Sequence, residues 1–502
     1  MERKGAKREE VHHELEERGG LKPGVSREVS RATGIPEADV YGVATFYTLL
    51  ARPEVALRVC QGTSCQLAGA DAHLAKAAAD GIAVEAVSCL GQCDRAPVAV
   101  DANLELVSWG ERGAVTPADT DLPIDLAGDE DPSYAALARA MAMGPEAVIA
   151  QIKAAGLQGR GGAGFSAAFK WSSVRSQPDP VRYMVVNADE GEPGTFKDRE
   201  IMLRRPHKML EGMAIAAWAV GASRAYIYVR GEFTGPWRAL ERALDAAPLP
   251  DLDVRLVAGH GAYICGEETA LLEAIEGKRG MPRLKPPYPT QVGLWGKPTL
   301  VHNVETLACV PSIVQRGGAW FAGLGHTEPG AKLYCISGHV ERPGVYELPL
   351  GITLDQLVDA AGGYVGTPRA FSPGGASSGF LPMSHRNTPL DFKSLAEAGS
   401  MLGSAGVVVV NDTVDMATAA KWGQIFFEDE TCGQCAPCRI GCSVQRQALD
   451  RYIDTGDATH LKHVETVAWE MDEGSICGLG MTASKPLETA MQHFPGDFAE
   501  RS

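Results

Sequence analysis

The sequence predicts an α/β multidomain protein, and three observations carry that expectation. At 502 residues, and with ~150 residues per domain, the chain has room for several domains with buried cores. A hydrophobic fraction of 45% beside 22% charged residues is ordinary globular composition, which excludes disorder, collagen and coiled coil. Apolar runs of strand length, among them Val181 to Val186 and Val254 to Val257, fall among helical patterns. The net charge of -16 argues against nucleic-acid binding. No segment reaches the ~20 apolar residues of a membrane helix; the longest candidate, Met213 to Ala222, is about half that length. The charged start, Met1 to Glu10, shows no secretory pattern, so a cytoplasmic chain with no direct membrane insertion is expected. In that reducing compartment 12 cysteines require a role other than disulfides.

Taken in order, Pro36 to Leu50 reads as an amphipathic helix within a helical lead-in. Arg58 to Cys60 and Val84 to Val87 read as strand ends, with a helix at His73 to Asp80 between them. Their loops carry Cys60, Cys65, Cys89 and Cys93, a C-x4-C pair and a C-x3-C pair. Gly62, Gly69 and Gly91 let the backbone curl around an inorganic core. Zinc is the competing ligand, but its knuckles are usually C-x2-C, so the spacing favours [2Fe-2S]. Pro117 to Ser133, rich in Asp and Pro, reads as a linker.

Gly159-Arg160-Gly161-Gly162-Ala163-Gly164 satisfies G-x-G-x-x-G literally. A dinucleotide site needs that motif to follow a strand, whereas Pro145 to Leu157 has helical spacing and a Pro start. What remains is a flexible loop whose backbone can approach a flat ring or a phosphate. The strand run Val181 to Val186 empties into Asn187-Ala188-Asp189-Glu190-Gly191-Glu192, at the strand end where open α/β sheets bind ligands; a solvated acidic turn is the alternative. After Val254 to Val257 come Gly259-His260-Gly261 and Tyr263 to Thr269, which opens a helix. Glu267 and Glu268 in its first turn are either dipole partners or ligands of the same crevice.

The C-terminal third offers strands at Leu333 to Val340 and Gly344 to Leu348 and a helix at Leu354 to Ala361. Gly374-Gly375-Ala376 either faces the crevice or turns the chain. Helical patterns at Trp422 to Phe427 and Gly441 to Ile453 suggest a bundle. Within it Cys432, Cys435 and Cys438 form C-x2-C-x2-C, and Cys477 follows after a gap of 38 residues in Ser475-Ile476-Cys477-Gly478. Three thiols in one short turn plus one remote thiol is a [4Fe-4S] pattern. Cys442 competes as fourth ligand; Cys477 is preferred because Cys442 lies four residues after Cys438 on a helix read as opening at Arg439. Cys265, Cys309 and Cys335 read as small buried hydrophobes.

These motifs carry a resemblance. Gly159 to Phe165 with Lys170-Trp171, Asn187 to Arg199, Gly261 to Thr269, Arg283 to Tyr288, Asn303 to Thr306 and Cys432 to Arg439 resemble the NADH-binding flavoprotein subunit of respiratory complex I. The part bearing Cys60 to Cys93 is similar to the thioredoxin-like [2Fe-2S] subunit of that complex. The departure is the fusion of two chains into one. Such a fusion resembles the diaphorase subunits of soluble NAD-dependent formate dehydrogenases and of NAD-reducing hydrogenases; the modest length favours the formate dehydrogenase beta subunit, with the hydrogenase diaphorase and a fused complex I input subunit as alternatives.

The resemblance implies a helical lead-in and thioredoxin-like ferredoxin domain over 1–115, a linker over 116–134, and an FMN- and NAD(H)-binding α/β domain over 135–325. A ubiquitin-like β-grasp domain over 326–412 and a helical [4Fe-4S] bundle over 413–502 complete the chain. It implies FMN along Gly159, Arg160, Gly161, Gly162 and Lys170, flanked by Asn187, Asp189, Glu190, Gly266, Glu267, His302, Asn303 and Thr306. Phe165, Glu192, Glu268, Lys285 and Tyr288 would hold the nucleotide. Glu190 and Glu268 are assigned to positioning and to tuning the flavin. Ser173 stands where the family often has a second aromatic for adenine, and His302 where Asn is common. The implied partners are a molybdopterin/Fe-S formate dehydrogenase subunit and a small [2Fe-2S] subunit.

Overall fold

The structure, a computed structural model, describes residues 7–249 and 251–500; the first residues of the charged start lie outside them. Three sheets form among these residues. The first runs Val84–Val87, Leu57–Cys60, Val98–Asp101, Leu106–Ser108. Its first two strands are parallel, linked through the helix Ala70–Ala79, and the others are antiparallel. Val59, Leu90, Val98 and Val100 fill its small core.

The lead-in is broken where one helix was expected over Pro36 to Leu50. Glu37–Ala44 and Thr48–Ala51 are separate helices, because Tyr47 turns away between them and donates its hydroxyl to the Lys278 carbonyl at 2.8 Å. Val11, Leu15, Val29 and Val40 pack in one core with Val185, Tyr226, Leu271 and Val301. The lead-in therefore docks on the central α/β layer and does not pack solely with the small four-stranded domain after it in sequence.

The central sheet is parallel, in the order Asp253–Ala258, Arg224–Val229, Tyr183–Ala188, Thr299–Asn303. Covered on both faces, its strands read as near-continuous apolar runs, which is why Val181 to Val186 was legible. Helices Pro206–Val220 and Val304–Arg316 lie together against it. At their crossing a Cβ on Gly212 would stand 1.9 Å from the Leu307 carbonyl oxygen, so only glycine allows the approach. The helix Pro145–Ala154 precedes the glycine loop, so the loop lacks the preceding strand that a dinucleotide motif requires.

The third sheet runs Leu381–Pro382, Pro368–Ser372, Gly406–Asn411, Ala331–Gly338, Gly344–Pro349, Ala114–Val115. Its last strand comes from the segment leaving the first domain, which ties the two regions together. The segment beyond Val115 departs from the linker expected over 116–134. Ile124, Leu126 and Tyr134 are buried, and the Ile124 and Asp125 amides donate to the buried Glu347 carboxylate at 2.8 and 2.7 Å. Asp and Pro there shape turns of a packed strap; composition alone does not distinguish that from a solvated linker.

The C-terminal bundle comprises Met416–Glu430, Ala436–Thr455, Val464–Gly474 and Lys485–His493. The helix expected to open at Arg439 opens at Ala436 with Cys435 as its N-cap, which puts Cys438 inside its first turn. No helix of the described residues is long and apolar enough to cross a membrane.

Candidate functional site

Two strand-end loops bring the first four thiols together. Cys60 ends the strand Leu57–Cys60, Cys65 sits in the helix Thr63–Leu67, and Cys89 and Cys93 flank the loop after Val84–Val87. All four are buried, and Cys89 Sγ lies 3.5 Å from Cys93 Sγ. The Gly91 amide donates to Cys89 Sγ at 3.3 Å and the Leu90 amide to Cys60 Sγ at 3.5 Å. Hydrogen bonds from Cys60 and Cys93, opposed by burial and helped by Arg230, hold the Cys89 thiol well below its ordinary range. A buried group of thiols with one already inclined to thiolate fits an iron-sulfur cluster.

The crevice of the central domain is built across the carboxyl ends of Tyr183–Ala188 and Thr299–Asn303, where Asn187 and Asn303 are register partners. The glycine loop lies over this edge. The Arg160 amide donates to Thr306 Oγ1 at 2.8 Å, the Gly159 amide bonds the Phe165 carbonyl, and a Cβ on Gly161 would meet Asn303 Cβ at 3.0 Å. Gly162 and Gly164 have positive φ of 137° and 63°. The Arg160 guanidinium is turned inward to the Pro329 carbonyl and the Phe321 ring, so this position presents backbone to the crevice. Asn187 reaches the Gly266 carbonyl at 2.7 Å, which fastens the loop after Asp253–Ala258 to the same edge.

The carboxylates divide by partner. Asp189 has a buried oxygen with no hydrogen-bond partner; it lines a cavity with Arg230, Glu232 and Tyr263, and burial pushes its carboxyl well up. Glu190 accepts the Asp198 and Arg199 amides at 2.8 and 3.0 Å, at the start of the helix Lys197–Arg204. Burial and the neighbouring Asp198 nevertheless push its carboxyl up to about 7. Glu192 accepts the Tyr263 hydroxyl and the Ser377 amide and hydroxyl. Gly375 lies against Glu192 and the Pro193 carbonyl, so Gly374-Gly375-Ala376 faces the acidic loop.

Glu267 caps Thr269 and Ala270 and pairs with Lys285 at 2.8 Å. Glu268 pairs with Lys170 at 2.8 Å and Lys285 at 3.1 Å. Burial would raise its carboxyl, but the two lysines outweigh burial and bring it down to about 2. His302 accepts the Trp171 indole N–H on Nε2 at 2.8 Å, and burial lowers it to about 3, so it is a neutral imidazole holding the helix Ala167–Arg175. Ser173 bonds Thr290 at 3.0 Å.

At the rim, Phe165, Tyr288 and Leu284 are exposed, and so is Phe169 at 63%. Phe169 meets Phe165 edge to face at 5.5 Å. Sequence reasoning passed over Phe169 because it followed the family's aromatic position to Ser173; the signal was an aromatic next to Lys170 on a helix otherwise rich in small residues. A cradle without side chains, exposed aromatic rings at its rim and a lysine-carboxylate cluster fit a flavin mononucleotide with a dinucleotide beside it.

The second thiol set gathers at the bundle. Cys432, Cys435 and Cys477 are half-buried and Cys438 is buried. Thr431 Oγ1 lies 3.1 Å from Cys438 Sγ. A Cβ on Gly480 would stand 2.9 Å from Cys438 Cβ, so the short helix Gly478–Thr482 that follows Cys477 rests against Cys438. Cys442 hydrogen-bonds Cys438 and, with Thr431 and Cys435 and against burial, brings it down to about 7. Among the described residues no three such groups close on a single metal-ion position, an arrangement that a larger cluster core does not need.

Comparison with known proteins agrees with this layout. Family models match in chain order: thioredoxin-like [2Fe-2S] ferredoxin at 9–107, the Nuo51 FMN-binding domain at 152–312, the SLBB domain at 333–381 and the NADH-ubiquinone oxidoreductase-F iron-sulfur binding region at 418–501. The second F-subunit of NADH-quinone oxidoreductase from Rhizobium meliloti is 45% identical over 383 residues, 73% of this chain and 91% of that protein. The corresponding F-subunit of Rickettsia typhi is 44% identical over 377 residues, 71% of this chain and 89% of that protein. The crystal structure of an NAD+-reducing [NiFe]-hydrogenase in the air-oxidized state contains a chain similar with a TM-score of 0.90 and 32% identity, covering 97% of this chain and 93% of that one. The chain thus belongs to the family of NADH-quinone oxidoreductase F-subunits, with an FMN-binding α/β domain, an SLBB domain and a [4Fe-4S] region, here preceded in the same chain by a thioredoxin-like [2Fe-2S] domain.

Proposed function

We propose that the chain is the diaphorase subunit of an NAD-reducing hydrogenase type of assembly, exchanging electrons between NAD(H) and a partner subunit. The observation that carries this reading is the likeness over 97% of the chain to a chain from an NAD+-reducing [NiFe]-hydrogenase, which includes the fused N-terminal domain. The formate dehydrogenase reading rests on modest length alone, and no comparison favours it. FMN, when bound, exchanges a hydride with nicotinamide and single electrons with iron-sulfur clusters.

This chain's part is placement. The glycine loop and Asn303 admit a flat ring without a Cβ in its way. Lys170, Glu268 and Lys285 form a charged bracket for the nucleotide, and Phe165 with Phe169 offers faces for adenine. Holding the two rings in register supplies most of the rate effect. Glu190, fixed by two amides, sets the local field without taking up a substrate proton. Phe169→Ala raises the KM for NADH by roughly three- to tenfold, as expected for ~0.5–1.5 kcal/mol of aromatic contact, and leaves FMN content unchanged; an unaltered KM removes Phe169 from the site. Affinity purification of the native complex tests the assembly. A nickel-iron subunit supports the proposal; a molybdenum or tungsten subunit, or membrane subunits, overturns it.

A further inference from the structure

One buried guanidinium joins the backbone of the first thiol loop to that of the acidic flavin-site loop. Arg230 comes directly after the strand Arg224–Val229 and is 8% exposed. Its Nη1 donates to the Glu190 carbonyl at 2.8 Å, its Nη2 to the Cys89 carbonyl, and its Nε to Glu232 at 3.0 Å. A second clamp, Arg199, donates to the Gly91 carbonyl, Gln92 and Asp94 of the same thiol loop. The two differ in balance. Arg199 is paired with both Asp94 and Glu200, whereas the ion pair of Arg230 is with Glu232, 8% exposed. Its positive charge thus lies at the Cys89 backbone; Glu232 offsets it by direct pairing, while Asp189 and Glu430 line the same cavity without an ion pair to it.

Reducing a buried cluster by one electron adds a negative charge in a medium that screens poorly. A fixed cation nearby stabilises the reduced form, and a carboxylate stabilises the oxidised form. We propose that the Arg230–Glu232 pair sets the reduction potential of the cluster held by Cys60, Cys65, Cys89 and Cys93, with Arg230 raising it and Glu232 lowering it. The pair thereby governs whether this cluster accepts an electron from the flavin side. The inference rests on those four cysteines being the [2Fe-2S] ligands. Arg230 and Glu232 act on the cluster from outside its ligand set, as positioning residues.

The test is an EPR-monitored redox titration of the full chain with its clusters, comparing wild type, Arg230→Met, Arg230→Lys and Glu232→Gln. At a fixed ambient potential Arg230→Met lowers the reduced-to-oxidised ratio of the [2Fe-2S] cluster about tenfold, which for a one-electron couple is ~59 mV. Glu232→Gln moves the ratio the other way. Arg230→Lys, which keeps the charge, stays within about threefold of wild type. The [4Fe-4S] signal in the same samples shifts less and serves as internal reference. Opposite signs for the two neutralising variants support the proposal, because mere loosening of the loop shifts both in one direction. Unchanged ratios, or shifts of one sign, overturn it. If Arg230→Met fails to hold the cluster, Glu232→Gln decides by its sign. A wild-type chain lacking any [2Fe-2S] signal refutes the ligand assignment instead.

Discussion

Replacing Cys477 with alanine removes the [4Fe-4S] cluster, and replacing Cys442 leaves it in place. The geometry gives the reason. Cys435 caps the helix Ala436–Thr455, Cys438 lies in its first turn and Cys442 one turn further on, fully buried. A cluster bound only through Cys432, Cys435, Cys438 and Cys442 would take all four thiols from one short stretch. Cys477 comes from a separate segment, as N-cap of the short helix Gly478–Thr482, and that helix packs on Cys438 through Gly480. It thereby offers a thiol from outside the stretch that carries the other three. Iron content then falls by about four per chain in Cys477→Ala, with loss of the corresponding EPR signal, whereas Cys442→Ala keeps both. The reverse pattern makes Cys442 the ligand.

Glu268→Gln lowers kcat/KM for NADH with ferricyanide by roughly 10- to 100-fold, an effect of about 1.4–2.7 kcal/mol on the barrier. Glu268 neutralises Lys170 and Lys285 together. Without its charge the two ammonium groups repel each other, and the bracket opens. Its carboxyl, lowered from the ordinary value to about 2 despite burial, is ionised across the working range. A depressed folded-state value contributes stability that is present above the ordinary carboxylate range and is lost as pH falls from about 4.5 toward 2. Wild-type activity therefore shows no inflection from this group between pH 5 and 9, and acidification within that window does not reproduce the variant. A fully active Glu268→Gln enzyme removes the residue from the site.

The domain order was legible because each unit announces itself by a different local rule. Paired cysteines marked the first loops, a buried apolar run marked Tyr183–Ala188, and the C-x2-C-x2-C turn marked the bundle. The crevice was legible as a set of segments but not as partnerships. Nothing local tells that Asn187 reaches the Gly266 carbonyl, that Glu192 is satisfied by Ser377 of the SLBB region, or that Arg160 turns inward to Pro329. These depend on chain segments far apart in sequence. The strap at 116–134 was missed for the same reason, since its partner Glu347 lies more than 200 residues away and composition records only its turns. The break at Tyr47 arose from a tertiary contact that overrode an amphipathic pattern.

The chain of one flavin and two clusters is tested most directly by adding NADH to the anaerobically purified protein while recording its visible and EPR spectra. The expected result is flavin and roughly six iron atoms per chain, bleaching of the flavin band by NADH, and electrons appearing in at least the [4Fe-4S] signal. Iron and sulfide without a flavin band, or a flavin that NADH does not reduce, would contradict it.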